Sequence, residues 1–199
     1  MPGSSRRKLP PVLLATSNRG KLAEAREVLA GFGIAVKQFD GKGIEIQADK
    51  TSEVAAFSSR GAAISAGSPV LVEDAGLFIH ALGGFPGPYS AYVFKTVGLD
   101  GVLSLLRGRT PRKARFVSSL AYCKPGGEPV VFEGLVQGEI TRSPRGSMGF
   151  GFDPIFLPAG GRRTFGELSL REKCAVSHRA RALTEFARWY ASAARTGRE

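Results

Sequence analysis

Residues 70–91, VLVEDAGLFIHALGGFPGPYSA, constrain this chain more than any other stretch. Val70, Leu71 and Val72 form a short apolar run that reads as a buried strand. Glu73 and Asp74 follow at once, and Ala75-Gly76 reads as a tight turn. A second apolar run, 77–82, leads into a stiff loop rich in Gly and Pro. An acidic turn is ordinary in itself. Carboxylates at the carboxyl end of a core strand, beside small residues that permit close approach, also suit a metal-assisted site. The rest of the chain decides between these readings.

Several classes are excluded by composition. The 199 residues suffice for one sizeable core, and 43% hydrophobic with 23% charged residues is ordinary for a globular protein. Residues 1–199 read as a single domain, with 1–10 a flexible basic tail and two lobes within 11–192. No apolar run approaches the ~20 residues of a membrane span, and the tail lacks the apolar segment of a signal peptide. Cys123 and Cys174 are far apart, with no metal-ligand spacing, which fits reduced thiols in the cytoplasm. The net charge of +11 attracts polyanions, either nucleic acid or phosphate-bearing small molecules. Its densest clusters are Arg6-Arg7-Lys8 and 112–115, and no basic stripe interleaved with aromatics is visible, so no specific nucleic-acid partner is expected.

A second informative stretch opens the chain. Val12–Ala15 reads as a strand running into Thr16-Ser17-Asn18-Arg19-Gly20-Lys21, and Leu22, Ala25, Leu29 and Phe32 then recur at helical spacing. Strand, polar loop and helix start together offer backbone N–H groups and a positive dipole end to phosphate. Ser17 or Asn18 reads as the N-cap, and Lys21 lies in the first turn. The P-loop pattern fails twice, with Ala15 in place of its first Gly and Leu22 in place of its Ser/Thr.

Residues 33–39 read as a strand, with the loop 40–43 after it, and 44–47 as an alternating strand end carrying Glu45. Paired in space with Asp74, Glu45 could complete a hard-cation site. Thr51–Ala66 reads as a helix capped by Thr51 or Ser52, and 96–106 as a helix facing the core. Residues 114–123, 130–136 and 136–141 read as strands of an antiparallel excursion broken at Gly134 and Gly138, making a second, β-rich lobe. Phe150-Gly151-Phe152-Asp153 alternates aromatic and small residues before a Pro, as a stacking platform for a flat base would. Ser177 caps a last helix, with Leu183, Phe186, Ala187 and Tyr190 on its buried face. His178 and Arg179 fall in its first turn, where a cation opposes the helix dipole, and an anionic or carbonyl-bearing ligand would explain Arg179 there.

Three blocks, in order and spread from Val12 to about Tyr190, carry a resemblance: 16–21; 73–77 with 84–90; and 149–156 with Glu172-Lys173 and Ser177-His178-Arg179. The chain resembles the inosine triphosphate pyrophosphatase family, which hydrolyses ITP, dITP and XTP to monophosphate and pyrophosphate. The resemblance implies an α/β fold with an elongated mixed central sheet flanked by helices, two lobes, and the active site in the cleft between them. It implies Mg²⁺ as cofactor and a homodimer. By the same resemblance Thr16 to Lys21, with Ala75, hold the triphosphate. Glu45 and Asp74 bind the metal, with Glu73 as a further contributor, and Asp74 accepts the proton of the attacking water. Phe152 stacks on the base, Phe150 to Asp153 line its pocket, and Lys173, His178 and Arg179 read the purine.

The sequence departs from the family pattern at three places. Ala75 replaces a common Ser or Thr, Phe152 replaces Tyr or Trp, and the helix Thr51–Ala66 has no clear match for a phosphate-side Lys. Two other readings of the same residues are a pyrophosphatase for other modified nucleotides and a catalytically silent nucleotide or nucleic-acid binder.

Overall fold

A computed structural model of the chain describes residues 9–41 and 44–196. The basic cluster Arg6-Arg7-Lys8 and the end of the expected loop 40–43 lie outside the described residues. Seven strands form one mixed sheet in the order β2-β1-β3-β5-β6-β7, with β4 (Pro86–Gly87) paired to the side of β3. Here β1 is Val12–Ala15, β2 Val36–Phe39, β3 Val70–Ile79, β5 Lys113–Cys123, β6 Val130–Ile140 and β7 Phe156–Pro158. β1 pairs in parallel with β2 and β3, and the remaining pairings are antiparallel. The sheet is flanked by helices, as expected.

The two faces of the sheet follow from strand alternation. Leu71 of β3 packs with α1 (Arg19–Ala30) and α6 (His178–Thr196), in a core that includes Leu22, Leu29, Leu183 and Phe186. Its neighbours Val70 and Val72 pack on the opposite face against Ala62 and Ala63 of α2 (Thr51–Ala66). A third cluster, around Leu77, Ile79, Phe116, Phe152, Phe156 and Phe165, fills the far end of the sheet under α3 (Ser90–Thr96) and α4 (Gly98–Leu105).

Several sequence expectations change. No turn follows Val72: β3 runs unbroken through Glu73, Asp74, Ala75 and Gly76 to Ile79. Gly76 serves close approach instead, since a Cβ there would lie 2.3 Å from the Gly87 carbonyl of β4. Residues 130–140 form a single strand in the same sheet, paired along β5, and not two strands of a separate sheet. Gly134 is again an approach point: a Cβ would come within 2.1 Å of the His178 carbonyl, so the amino end of α6 rests directly on β6. The expected helix 96–106 is α4, which Val97 parts from α3; α3 and α5 (Leu170–Val176) are helices that the sequence reading did not mark. Residues 44–48 form no strand. Thr51 does not cap α2. It exchanges a 2.7 Å hydrogen bond with Ser119 of β5.

Candidate active site

Alternation along β3 sends Glu73 and Asp74 to opposite faces of the sheet. Glu73 turns toward α6. Both its carboxylate oxygens accept from Arg179 Nε, at 2.8 and 2.9 Å, and Oε1 also accepts from Ser118 Oγ at 2.7 Å. Burial opposes its charge, but Arg179 and then Lys21 hold it down to about 2. Glu73, read as a possible further metal ligand, is thereby committed to Arg179.

Asp74 stands on the other face and is different in kind. Among the described residues its buried Oδ2 has no hydrogen-bond partner. Burial pushes its pKa up to about 7; the Lys21 charge opposes this, and the charges of Glu73 and Glu45 add to it. A buried carboxylate oxygen without a donor costs free energy unless something outside the protein engages it.

Two cavities meet at Asp74. The larger, about 540 Å³, is lined by Ala75, Phe150 to Asp153, Lys173, His178 and Arg179, and by Tyr89 to Tyr92 at the start of α3. The smaller, about 220 Å³, is lined by Thr16, Ser17, Asn18 and Ser58. Asn18, Lys21, Glu45 and Asp74 line both. One cavity has an aromatic wall and the other a hydroxyl-rich one, the division that a nucleoside and its phosphates require.

The loop before α1 is built by its cap. Asn18 is the N-cap residue; its side chain accepts from the N–H groups of Gly20 (2.8 Å) and Lys21 (3.1 Å). Those two amides are thus satisfied internally and are not open to a ligand. Lys21 Nζ donates to the Glu73 carbonyl at 2.9 Å, which fixes the ammonium over the end of the phosphate-sized cavity. Arg19 and Gly20 line neither cavity, and Arg19 is exposed. Glu45 is exposed on its irregular segment, which Ser58 Oγ tethers by a 2.9 Å bond to the Ile44 carbonyl.

The purine-side cations form a buried network. Lys173 Nζ donates to Glu24 at 2.8 Å and to Asp153 at 2.5 Å, and Arg179 Nη1 donates to the second Glu24 oxygen at 2.8 Å. Burial raises the Glu24 pKa, but Arg179 and Lys173 outweigh it and hold the group below its ordinary value. Arg179 at the amino end of α6 is therefore balanced by Glu73 and Glu24. No ligand is needed to explain its presence there, contrary to expectation. The network leaves Arg179 Nη2 as the guanidinium nitrogen without a protein acceptor among the described residues.

His178 is buried, stacked on Phe116 at 4.6 Å, with Nδ1 unpartnered. Burial, then the charges of Arg179, Lys173 and Lys21, hold its pKa well below the ordinary value, so the ring is neutral and carries one donor and one acceptor.

Phe152 is only 3% exposed and edge-on to Phe94. Phe150 is half-buried and lies over Lys173 and Arg179, so the accessible ring of the pair is Phe150 and not the expected Phe152. Glu24, Phe116, Ser58, Val54 and the first turn of α3 also belong to the site, although sequence reading assigned them no role. The spacing of Glu24 from Lys21 on one helical turn is the only signal that could have found it.

Residues 12–189 match the model of the Ham1 family. The chain belongs to that family. Its relatives include proteins named dITP/XTP pyrophosphatase from Methanopyrus kandleri, 55% identical over 90% of this chain and 95% of that one. Another so named, from Thermococcus kodakarensis, is 51% identical over 87% of this chain and 94% of the relative. Among solved structures, a HAM1 protein from Coxiella burnetii superposes with a TM-score of 0.79 at 34% identity, covering 91% of this chain and 98% of that one. The resemblance drawn from the three sequence blocks and the α/β fold expected with it both hold for this Ham1-family chain.

A hard cation fits the residues present. Among the described residues no group of three or more His, Cys, Asp or Glu could enclose a metal. Asp74 and Glu45 line both cavities, and with the Asp74 Oδ2 unsatisfied they offer oxygen donors of the kind a hard cation takes, its other ligands coming from water or phosphate.

Proposed function

We propose that this chain is a Mg²⁺-dependent nucleoside-triphosphate pyrophosphatase. In this reading it hydrolyses ITP, dITP and XTP to the monophosphate and pyrophosphate, removing deaminated purines from the nucleotide pool. One observation carries the reading. Asp74, with an orphaned oxygen and a pKa pushed up to about 7, sits where an aromatic cavity meets a hydroxyl-lined one. The names of the relatives support the substrate class.

The base occupies the larger cavity against Phe150, and the triphosphate runs past Thr16, Ser17 and Asn18 to Lys21. Asp74 and Glu45 would hold Mg²⁺, which would neutralise phosphate charge and make water a better nucleophile. Asp74 accepts the proton of the water that attacks, a task its carboxylate can perform from the junction of the two cavities. Lys21, held by the Glu73 carbonyl, offers a fixed positive charge to the phosphates. Arg179 Nη2 donates to a carbonyl at purine position 6, and His178 supplies a neutral partner beside it. An amino group at that position meets a donor instead, and unpaired polar groups in a buried site discriminate strongly.

No described helix is long and apolar enough to cross a membrane. We further propose a single two-lobed unit spanning the chain, a cytoplasmic location, which its two free cysteines suit, and a homodimer. Turnover of ITP, dITP and XTP against ATP and GTP, with Mg²⁺ and with chelator, tests the function. Selective, Mg²⁺-dependent cleavage is expected. Equal cleavage of ATP and GTP, or none of any nucleotide, contradicts it.

A further inference from the structure

A third cavity, about 520 Å³, shares no lining residue with the two at Asp74. It lies between the end of α4, the loop 106–112 and the segment 142–144 that follows β6. Four guanidiniums line it, Arg107, Arg109, Arg112 and Arg142, against one carboxylate, Asp100, an excess of three positive charges.

The arginines differ in how they are held. Arg112 is fixed by three bonds, to the carbonyls of Ile140 (2.7 Å), Leu106 (3.0 Å) and Thr141 (2.7 Å). Arg109 donates to the Ala81 carbonyl at 3.2 Å. These acceptors are neutral, so both charges remain uncompensated. Arg107 and Arg142 are exposed and, among the described residues, have no ion pair or side-chain hydrogen bond. Burial and then the Arg142 charge lower the Arg112 pKa. The contrast with the active site is direct, because Lys173 and Arg179 there are matched by carboxylates at hydrogen-bond distance.

We propose that this cavity is a second anion site that binds a chain of phosphates, di- or triphosphate. Guanidinium forks match phosphate oxygens two at a time. A cavity of this volume, nearly as large as the base-side one, has room for more than a single phosphate. Ser104, Thr110 and Ser143 add hydroxyl donors to the wall. Among the described residues no aromatic side chain lines it, so recognition is of the phosphate chain and not of a base. Two sources carry that chemistry, free inorganic polyphosphate and the triphosphate of a nucleotide.

The test is calorimetric titration with inorganic tripolyphosphate in chelator. Wild type is compared with Arg107→Ser/Arg142→Ser and with Lys37→Ser/Lys124→Ser, which removes two exposed charges elsewhere. Lys21→Ala in each background removes active-site binding. Tripolyphosphate should bind the Lys21→Ala protein, and Arg107→Ser/Arg142→Ser should weaken that binding about tenfold or more. It should leave ITP turnover by the Lys21-containing protein unchanged, and the Lys37/Lys124 pair should bind like wild type. Displacement by ATP assigns the site to nucleotides; failure of ATP to displace assigns it to inorganic polyphosphate. The proposal is overturned if Lys21→Ala binds no tripolyphosphate or if both double variants lose affinity equally. Each of these is independent of whether ITP is cleaved, so the catalytic reading stands or falls separately.

Discussion

Asp74 is maintained at a cost to the fold. Its folded pKa of about 7 lies above the ordinary 3.8, so its stabilising contribution is complete below 3.8 and is lost as pH rises through about 7. Asp74→Asn should therefore be more stable than wild type in chelator at pH 8.5, by up to about 4 kcal/mol, with the difference vanishing near pH 4. Thermal melts at the two pH values read this out, and equal melting at pH 8.5 would contradict it. Turnover of the variant should fall about 10²–10⁴-fold. Glu24 carries the opposite burden. Glu24→Gln leaves Lys173 and Arg179 short of a charge, with an expected loss of about 3–5 kcal/mol in denaturant melts and a higher KM for ITP. Unchanged stability would show that the network is not needed by the fold. Apart from its spacing from Lys21, nothing in the sequence marked Glu24, because its partners stand 149 and 155 residues away and an acid on a helix is normally solvated. Asp74, Lys21, His178 and Arg179 were legible because they sit in dense local motifs.

The elements aim these residues by contact and parity. Gly134 lets α6 rest on β6, so Gly134→Ala should push His178 and Arg179 off their places. The expected result is a loss of about 1–3 kcal/mol with KM raised more than kcat is lowered; a wild-type KM would contradict it. Ser118 acts through Glu73. The Glu73 pKa of about 2 lies below its ordinary 4.5, so its contribution is present above 4.5 and is lost as pH falls toward about 2. Ser118→Ala removes a donor to that carboxylate, and the acid-unfolding midpoint should move to higher pH. The helices α1, α2, α4 and α6 and most strand positions were readable from periodicity, whereas the seven-residue helices α3 and α5 were not. The continuity of β3 and β6 was not, because Gly76, Gly134 and Gly138 look like breaks in a sequence. In the sheet they are places where another backbone or ring comes close. Misreading the first of these hid the parity that separates Glu73 from Asp74.

At the scale of the whole molecule, one mixed sheet divides the work. Its α1/α6 face buries the ionic network that fixes the purine-side donors, and its α2 face carries Asp74, with Lys21 and Glu45 converging on it. The fold class and the order of the three motif blocks could be read from the chain alone. That the antiparallel strands extend the same sheet could not, since strand pairing between distant segments leaves no local trace. The most direct measurement is hydrolysis of dITP in ¹⁸O-water with both products analysed. Pyrophosphate without label, and one ¹⁸O in the monophosphate, is the predicted result, and Asp74→Asn should abolish it. Orthophosphate as the first product, or label carried by pyrophosphate, would contradict hydrolysis at the innermost phosphate in this cleft.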